Sequence, residues 1–138
     1  MPNPLVVQHY PDDFRTLTHV VHDASAADLV WLYADRTLVV DSIFVTAMGA
    51  SAVGGTATVQ LVKVASGTIP TSTNIQAATA VSSAISVAAN SAATEGTITT
   101  SANEIASGSW LALKWTAGGG TLSNFRGAIQ VRYRSRQA

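Results

Sequence analysis

Few residues of this chain could carry chemistry, and they are unevenly distributed along it. The chain has no cysteine, and its three histidines all lie within the first 22 positions. After Asp41 the only acidic residues are Glu95 and Glu104. Serine and threonine are abundant, but a nucleophilic hydroxyl needs a base held beside it, and no motif of that kind occurs. This inventory favours a structural or binding protein over an enzyme.

The histidines do not predict a metal site. His19 and His22 are three positions apart on a predicted strand, and this odd spacing places them on opposite faces, although in a helix they could share a metal ion. His9 has no evident partner. The pair Asp12 and Asp13 lacks the alternating oxygen ligands of a calcium loop. We therefore expect no metal and no other cofactor.

Two acidic residues, Asp35 and Asp41, flank the predicted central strand. The paired carboxylates of a glycosidase face each other across a cleft, and nothing in the sequence arranges these two in that way. The glycine run at 118–120 lacks the lysine and the following helix of a phosphate-binding loop. An enzyme is the least favoured hypothesis, and it would depend on Asp35, Asp41 or His19.

Three aromatic residues form a candidate binding surface. Trp31 and Tyr33 are two positions apart, which predicts that they share one face of a strand, and Trp110 is predicted to face outward from its own strand. A platform of this kind could stack against a glycan. Ordinary packing on a sheet would give the same pattern and is the commoner explanation.

Charge is segregated along the chain although the net charge is zero. Residues 1–41 hold six of the eight acids, and residues 126–136 hold four of the eight basic residues, in alternation on the last predicted strand. These charges either form solvated strand faces, or the acidic part meets the basic strand within one subunit or between neighbours. Four arginines without a net positive charge do not predict nucleic-acid binding. The four are Arg126, Arg132, Arg134 and Arg136.

Composition and length limit the class of protein to which the chain can belong. The 138 residues are 47% hydrophobic and only 12% charged, which is typical of one globular domain whose surface suits packing against other proteins. No apolar run approaches the roughly 20 residues of a membrane span, and no signal peptide is recognisable at the N-terminus. Residues 1–14 contain three prolines and are predicted to form an extended arm, followed by a β domain over 15–138.

About eight short strands are predicted in that domain, joined by Gly-, Ser-, Thr- and Ala-rich segments. The segment 37–48 is apolar on both faces and is predicted to be a central strand packed on both sides. Residues 71–94 tolerate either a helix or a strand, and we favour an irregular stretch followed by a strand. The fold is predicted to be all-β, an antiparallel β-sandwich or jelly roll. The predicted strands are 15–22, 29–33, 37–48, 56–64, 81–88, 95–100, 110–115 and 125–134.

Several of these segments are together similar to one group of proteins. The central strand ADRTLVVDSIFVTA is followed by TVQLVKVASGTIP, then by a turn–Gly–x–x–Leu–x–Leu strand at Gly108, Leu111 and Leu113, and by an amphipathic last strand at 125–134. In this arrangement the chain resembles small bacteriophage virion proteins of the capsid decoration (cement) and head-fibre kind. The resemblance covers about three quarters of the chain, from Trp31 to Arg134.

The resemblance implies a structural protein that binds the outside of a phage capsid and stabilises the shell. Such a protein would be made in the host cytoplasm and located on the virion. It would contact the major capsid protein and its own copies, with which it would form a homotrimer. The alternative is a tail or fibre adhesin that binds a host-surface glycan through Trp31, Tyr33 and Trp110. The expected capsid interface comprises the four arginines and the arm residues Leu5, Val6, Val7 and Tyr10.

Overall fold

The computed structural model describes residues 14–24, 28–47, 58–86, 93–116 and 125–136. These residues form ten strands and one short helix. The elements are β1 (Phe14–Ala24), β2 (Leu29–Tyr33), β3 (Leu38–Ala47), β4 (Thr58–Val64), α1 (Ser72–Gln76), β5 (Thr79–Ala80), β6 (Ile85–Ser86), β7 (Thr94–Gly96), β8 (Glu104–Ile105), β9 (Trp110–Thr116) and β10 (Phe125–Ser135).

The strands pair as a set of nested antiparallel hairpins. The first strand pairs with the last, β2 pairs with β9, β3 pairs with β7 and β8, and β4 pairs with β5 and β6. Further pairing of β10 with β3 and of β9 with β4 gathers these hairpins into two sheets. Sheet A has the order β1-β10-β3-β7, and sheet B has the order β2-β9-β4-β5. This order is that of a jelly roll, and the predicted all-β sandwich is confirmed.

The core lies between the two sheets and is built from the alternate residues that each strand turns inward. Ile43 and Ile129 of sheet A and Leu61 and Leu113 of sheet B are fully buried there. Leu111, Leu113 and Trp115 face this core, as the alternation of β9 predicts. At about 25 cal/mol per Å² of apolar surface, this burial is the main stabilising contribution to the fold.

A β-bulge at Asp41 shifts the alternation of β3. Arg132 of β10 pairs with Ser42 and the next residue pairs with Val40, so Asp41 has no partner on β10. Leu38 and Val40 face the core before the bulge, and Ile43 and Val45 face it afterwards. The prediction of a central strand is confirmed. The prediction that both of its faces are packed is wrong, because Asp41 is exposed on the outward face and most of the other outward side chains are only half-buried.

The two long sides of the sandwich differ. On one side, backbone hydrogen bonds of 2.8 Å from Thr99 to Val81 and from Ser83 to Thr97 connect the edges of the two sheets. On the other side the edges are β1 and β2, whose inner faces meet where the rings of His19 and Trp31 lie 6.4 Å apart, edge to face. The chain therefore presents β1 as an edge strand, paired with β10.

The secondary structure of the segment 71–94 was not decided by the sequence, and its described part contains both a helix and short strands. A five-residue helix, α1, begins after Thr71, whose hydroxyl accepts the backbone N–H of Asn74. Short strands at 79–80 and 85–86 follow, with an isolated bridge between Ser82 and Ile98. The stretch predicted to be irregular therefore contains a helix, and of the predicted strand 81–88 only Ile85 and Ser86 form a strand among the described residues. The helix lies over the outer face of sheet B, where Ile75 is buried.

Some boundaries were predicted wrongly. The segment 101–109 lies between two predicted strands, but it contains β8, which pairs with β3. Phe14 was assigned to the arm and belongs to β1, which also continues to Ala24 rather than ending at residue 22. Gly108 does form the predicted turn, with a φ of 88°, in the left-handed region that favours glycine. Residues 1–13 lie outside the described part of the chain.

Replacing Gly96 by alanine is expected to destabilise the fold. The added Cβ would lie 2.7 Å from Cδ1 of Ile85 and 2.9 Å from Cγ2 of Ile43, in the packed seam between the sheets. Overpacking of this kind costs about 1–3 kcal/mol of the free energy of unfolding. Urea denaturation would measure it, with Thr97→Ala at the exposed neighbouring position as the control. An unchanged unfolding midpoint in Gly96→Ala would contradict the close packing.

Candidate functional site

The aromatic residues do not form the platform that the sequence suggested. A bulge at Trp31 leaves it without a partner on β9, and its side chain packs against the core. Tyr33 faces the other way and is half exposed. The prediction that Trp31 and Tyr33 share one face is therefore wrong. Tyr33 instead contacts Trp110 on the outer face of sheet B, with ring centroids 4.7 Å apart.

Trp110 faces outward as predicted, but it is half-buried. Together with Val62, Val64 and Ala112 it packs around Ile75 of α1. This outer face of sheet B is thus partly covered by the chain itself, and the Tyr33–Trp110 pair marks the border of the covered area. Stacking of a glycan on these rings stays a prediction.

Asp28 holds α1 onto sheet B, a role that the sequence analysis did not find. Its carboxylate accepts hydrogen bonds of 2.9 Å from the backbone N–H of Trp115, the hydroxyl of Ser72 and the amide of Gln76. Lys114 donates to the backbone carbonyl of Gln76 at 2.9 Å, at the other end of the same clamp. These partners are 44 to 87 residues from Asp28 in sequence, so no local pattern could have indicated them.

Asp28→Ala is expected to loosen this helix and lower the free energy of unfolding by roughly 1–2 kcal/mol, because several donors lose a charged acceptor. Urea denaturation gives the stability, and amide hydrogen exchange at Trp115 reports the local opening. Asp35→Ala is the matched control, since Asp35 is an exposed acid whose ion pair is with its neighbour Arg36. Equal stability of the two variants would show that the clamp is not needed.

The predicted arginine stripe is only partly available to a partner. The guanidinium carbon of Arg132 lies 4.0 Å from the centroid of the Phe14 ring, a cation–π contact. Arg136 forms an ion pair with Glu104. Arg134 is half-buried, and no ion pair involves it among the described residues. The side chain of Arg126 lies outside the described part of the chain. Glu104 is thus an acid of this chain that meets one of these arginines. Asp12, Asp13 and the side chain of Asp23 lie outside the described part of the chain, and their contact with the basic strand stays a prediction.

The start of β1 brings two of the predicted interface regions together. Phe14 pairs with Arg134 in the register of β1 and β10, and its ring lies under Arg132. The predicted arm therefore joins the domain directly beside the basic strand. Its residues Leu5, Val6, Val7 and Tyr10 precede this junction and lie outside the described residues. The corner formed by Phe14, Arg132 and Arg134 is the candidate functional site.

The residues of the enzymatic hypothesis lie apart. Asp35 lines a depression of about 180 Å³ at one end of the sandwich, whereas Asp41 lines a different groove on the outer face of sheet A. His19 packs beside Trp31 at the inner side of β1. Within the described part of the chain, no group of three or more metal-binding side chains occurs. Asp35 and Asp41 therefore do not line the same cleft, as a glycosidase pair would.

Comparison with known proteins does not assign the chain to a family, because no protein-family model and no curated protein matches it.

Among the residues that the structure describes, no helix is both long enough and apolar enough to cross a membrane.

Proposed function

We propose that this protein is a bacteriophage capsid decoration protein, which binds the outside of the shell and stabilises it. The observation that carries the proposal is the corner at Phe14. There the proline-bearing arm joins an edge strand beside Arg132 and Arg134. An arm that leaves the edge of a rigid sandwich can lie on a neighbouring surface without disturbing the core.

The jelly-roll topology is compatible with this role. Double-sheet jelly rolls occur in viral capsid proteins and in lectins, so the fold admits both the decoration protein and the adhesin. Fold analogy alone does not decide between them. The resemblance of the segment from Trp31 to Arg134 to decoration and head-fibre proteins favours the capsid.

A decoration protein needs contact area and repetition more than catalysis. We propose that the arm contacts the major capsid protein, with Arg134 facing an acidic group of that partner, and that three copies assemble around a local symmetry axis. Closed symmetry places three arms on one site of the shell, and their combined attachment is then much tighter than that of a single arm. The protein would accordingly be located on the virion surface.

Removing residues 1–12 is expected to weaken attachment to shells while leaving the fold intact. The apolar run Leu5, Val6 and Val7 would lose its contacts, and burial of even one such side chain contributes about 1.5 kcal/mol, or about tenfold in affinity. Full-length and truncated protein would be added to capsids stripped of it, and the copies retained per particle would be counted by quantitative gel analysis.

A matched pair of point variants separates the apolar contacts from the length of the arm. The triple variant Leu5→Ser, Val6→Ser and Val7→Ser keeps the length and should lose occupancy, whereas Asn3→Ser should not. Circular dichroism and thermal unfolding would verify that the domain is unchanged. Full occupancy by the truncated protein would refute attachment through the arm.

A further inference from the structure

The outer face of sheet A carries a groove that shares only Arg132 with the corner at Phe14. Its volume is about 490 Å³, within the range of roughly 300–1,000 Å³ that is typical of small-molecule sites. Strands β1, β10, β3 and β7 each contribute to its lining. The groove lies on the face of the sheet, whereas the arm leaves from its edge at Phe14.

The side chains of the groove form two rows across the strands. In one row, Phe44 lies between Gln130 on β10 and Glu95 on β7. In the other, Arg132 lies between Thr16 on β1 and Ser42 on β3. Neighbouring rows of one face are about 7–8 Å apart, so one small ligand can reach both.

The bulge on β3 adds a sixth polar group to this surface. Asp41 has no partner on β10, and its exposed side chain lines the groove beside Ser42. Bulges commonly redirect a side chain at a functional site. A regular β3 would alternate through this position and could not place Asp41 and Ser42 in the same groove.

Most polar groups of the groove lack partners within the described residues; the exception is Gln130, whose amide donates to the hydroxyl of Thr18 at 3.4 Å. Asp41, Glu95 and the Arg132 guanidinium form no hydrogen bond or ion pair there, and the contact of Arg132 with the Phe14 ring leaves its N–H donors available. Ser42 is only 8% exposed, yet its hydroxyl also forms no hydrogen bond with a described residue. Because buried polar groups are normally satisfied, an unpartnered buried hydroxyl that lines a groove points to a bound ligand.

The charges restrict the chemistry of that ligand. Two carboxylates, Asp41 and Glu95, repel an anion, and Arg132 disfavours a cation. A neutral molecule rich in hydroxyl groups satisfies all three, since each hydroxyl both donates and accepts. Phe44 supplies an apolar surface in the middle of the polar groups, against which the C–H face of a sugar ring can pack.

We propose that this groove binds a neutral carbohydrate. The carboxylates of Asp41 and Glu95 accept hydrogen bonds from sugar hydroxyls, Arg132 donates to sugar oxygens, and the ring of Phe44 packs against the sugar. The site is distinct from the Tyr33–Trp110 pair, which lies on the other sheet. It does not depend on the capsid assignment, because the groove is formed by one copy of the chain.

The test uses the purified full chain on an array of neutral, sialylated and uronic acid oligosaccharides, with a lysine-rich peptide as a further probe. We expect binding to a neutral oligosaccharide. Titration calorimetry with that oligosaccharide should show an affinity at least about tenfold weaker for Asp41→Asn and for Glu95→Gln, because each variant loses a hydrogen bond to a charged acceptor. Both positions are exposed, so these variants should fold normally.

Asp35→Asn is the matched control, since it removes an exposed acid outside the groove and should leave the affinity unchanged. Three results would overturn the proposal: binding to no oligosaccharide, binding only to the acidic sugars or to the peptide, or binding of the neutral sugar that is unaffected by Asp41→Asn and Glu95→Gln. Loss of binding on Trp110→Ala alone would place the sugar on sheet B instead.

Discussion

The position of β10 between β1 and β3 is the constraint on which the rest of the structure depends. The last strand of the chain must enter the middle of sheet A, with the first strand on one side and β3 on the other. Ile129 and Val131 then face the core while Gln130 and Arg132 face outward. Because these two pairings join residues 80 to 120 positions apart, we expect folding to be slow relative to proteins with local contacts.

The sequence was sufficient for the fold class and for most strands, since alternation and turn residues are local signals. It could not reveal the bulges in β2 and β3. The run from Leu38 to Ala47 appeared apolar on both faces because the bulge at Asp41 moves the core positions from even to odd numbers. The bulge at Trp31 likewise places the side chains of Trp31 and Tyr33 on opposite faces of β2. A single inserted residue reverses every face assignment after it, and only cross-strand pairing shows where that occurs.

The surfaces were predicted less well than the strands because they combine residues from distant parts of the chain. Alternation correctly indicated that Arg132 faces outward, but its neighbours Phe14, Ser42 and Glu95 come from three other strands. The sequence therefore suggested a stripe of free arginines, whereas the structure has a corner beside the arm and a groove of mixed charge. Both surfaces exist only because sheet A brings β1 and β10 together.

Immunogold electron microscopy of purified virus particles tests the central claim most directly. An antibody against this chain should label the whole shell at regular intervals, as expected for a decoration protein present in many copies. Labelling confined to the tail or to fibre tips would contradict attachment to the capsid and would favour the adhesin.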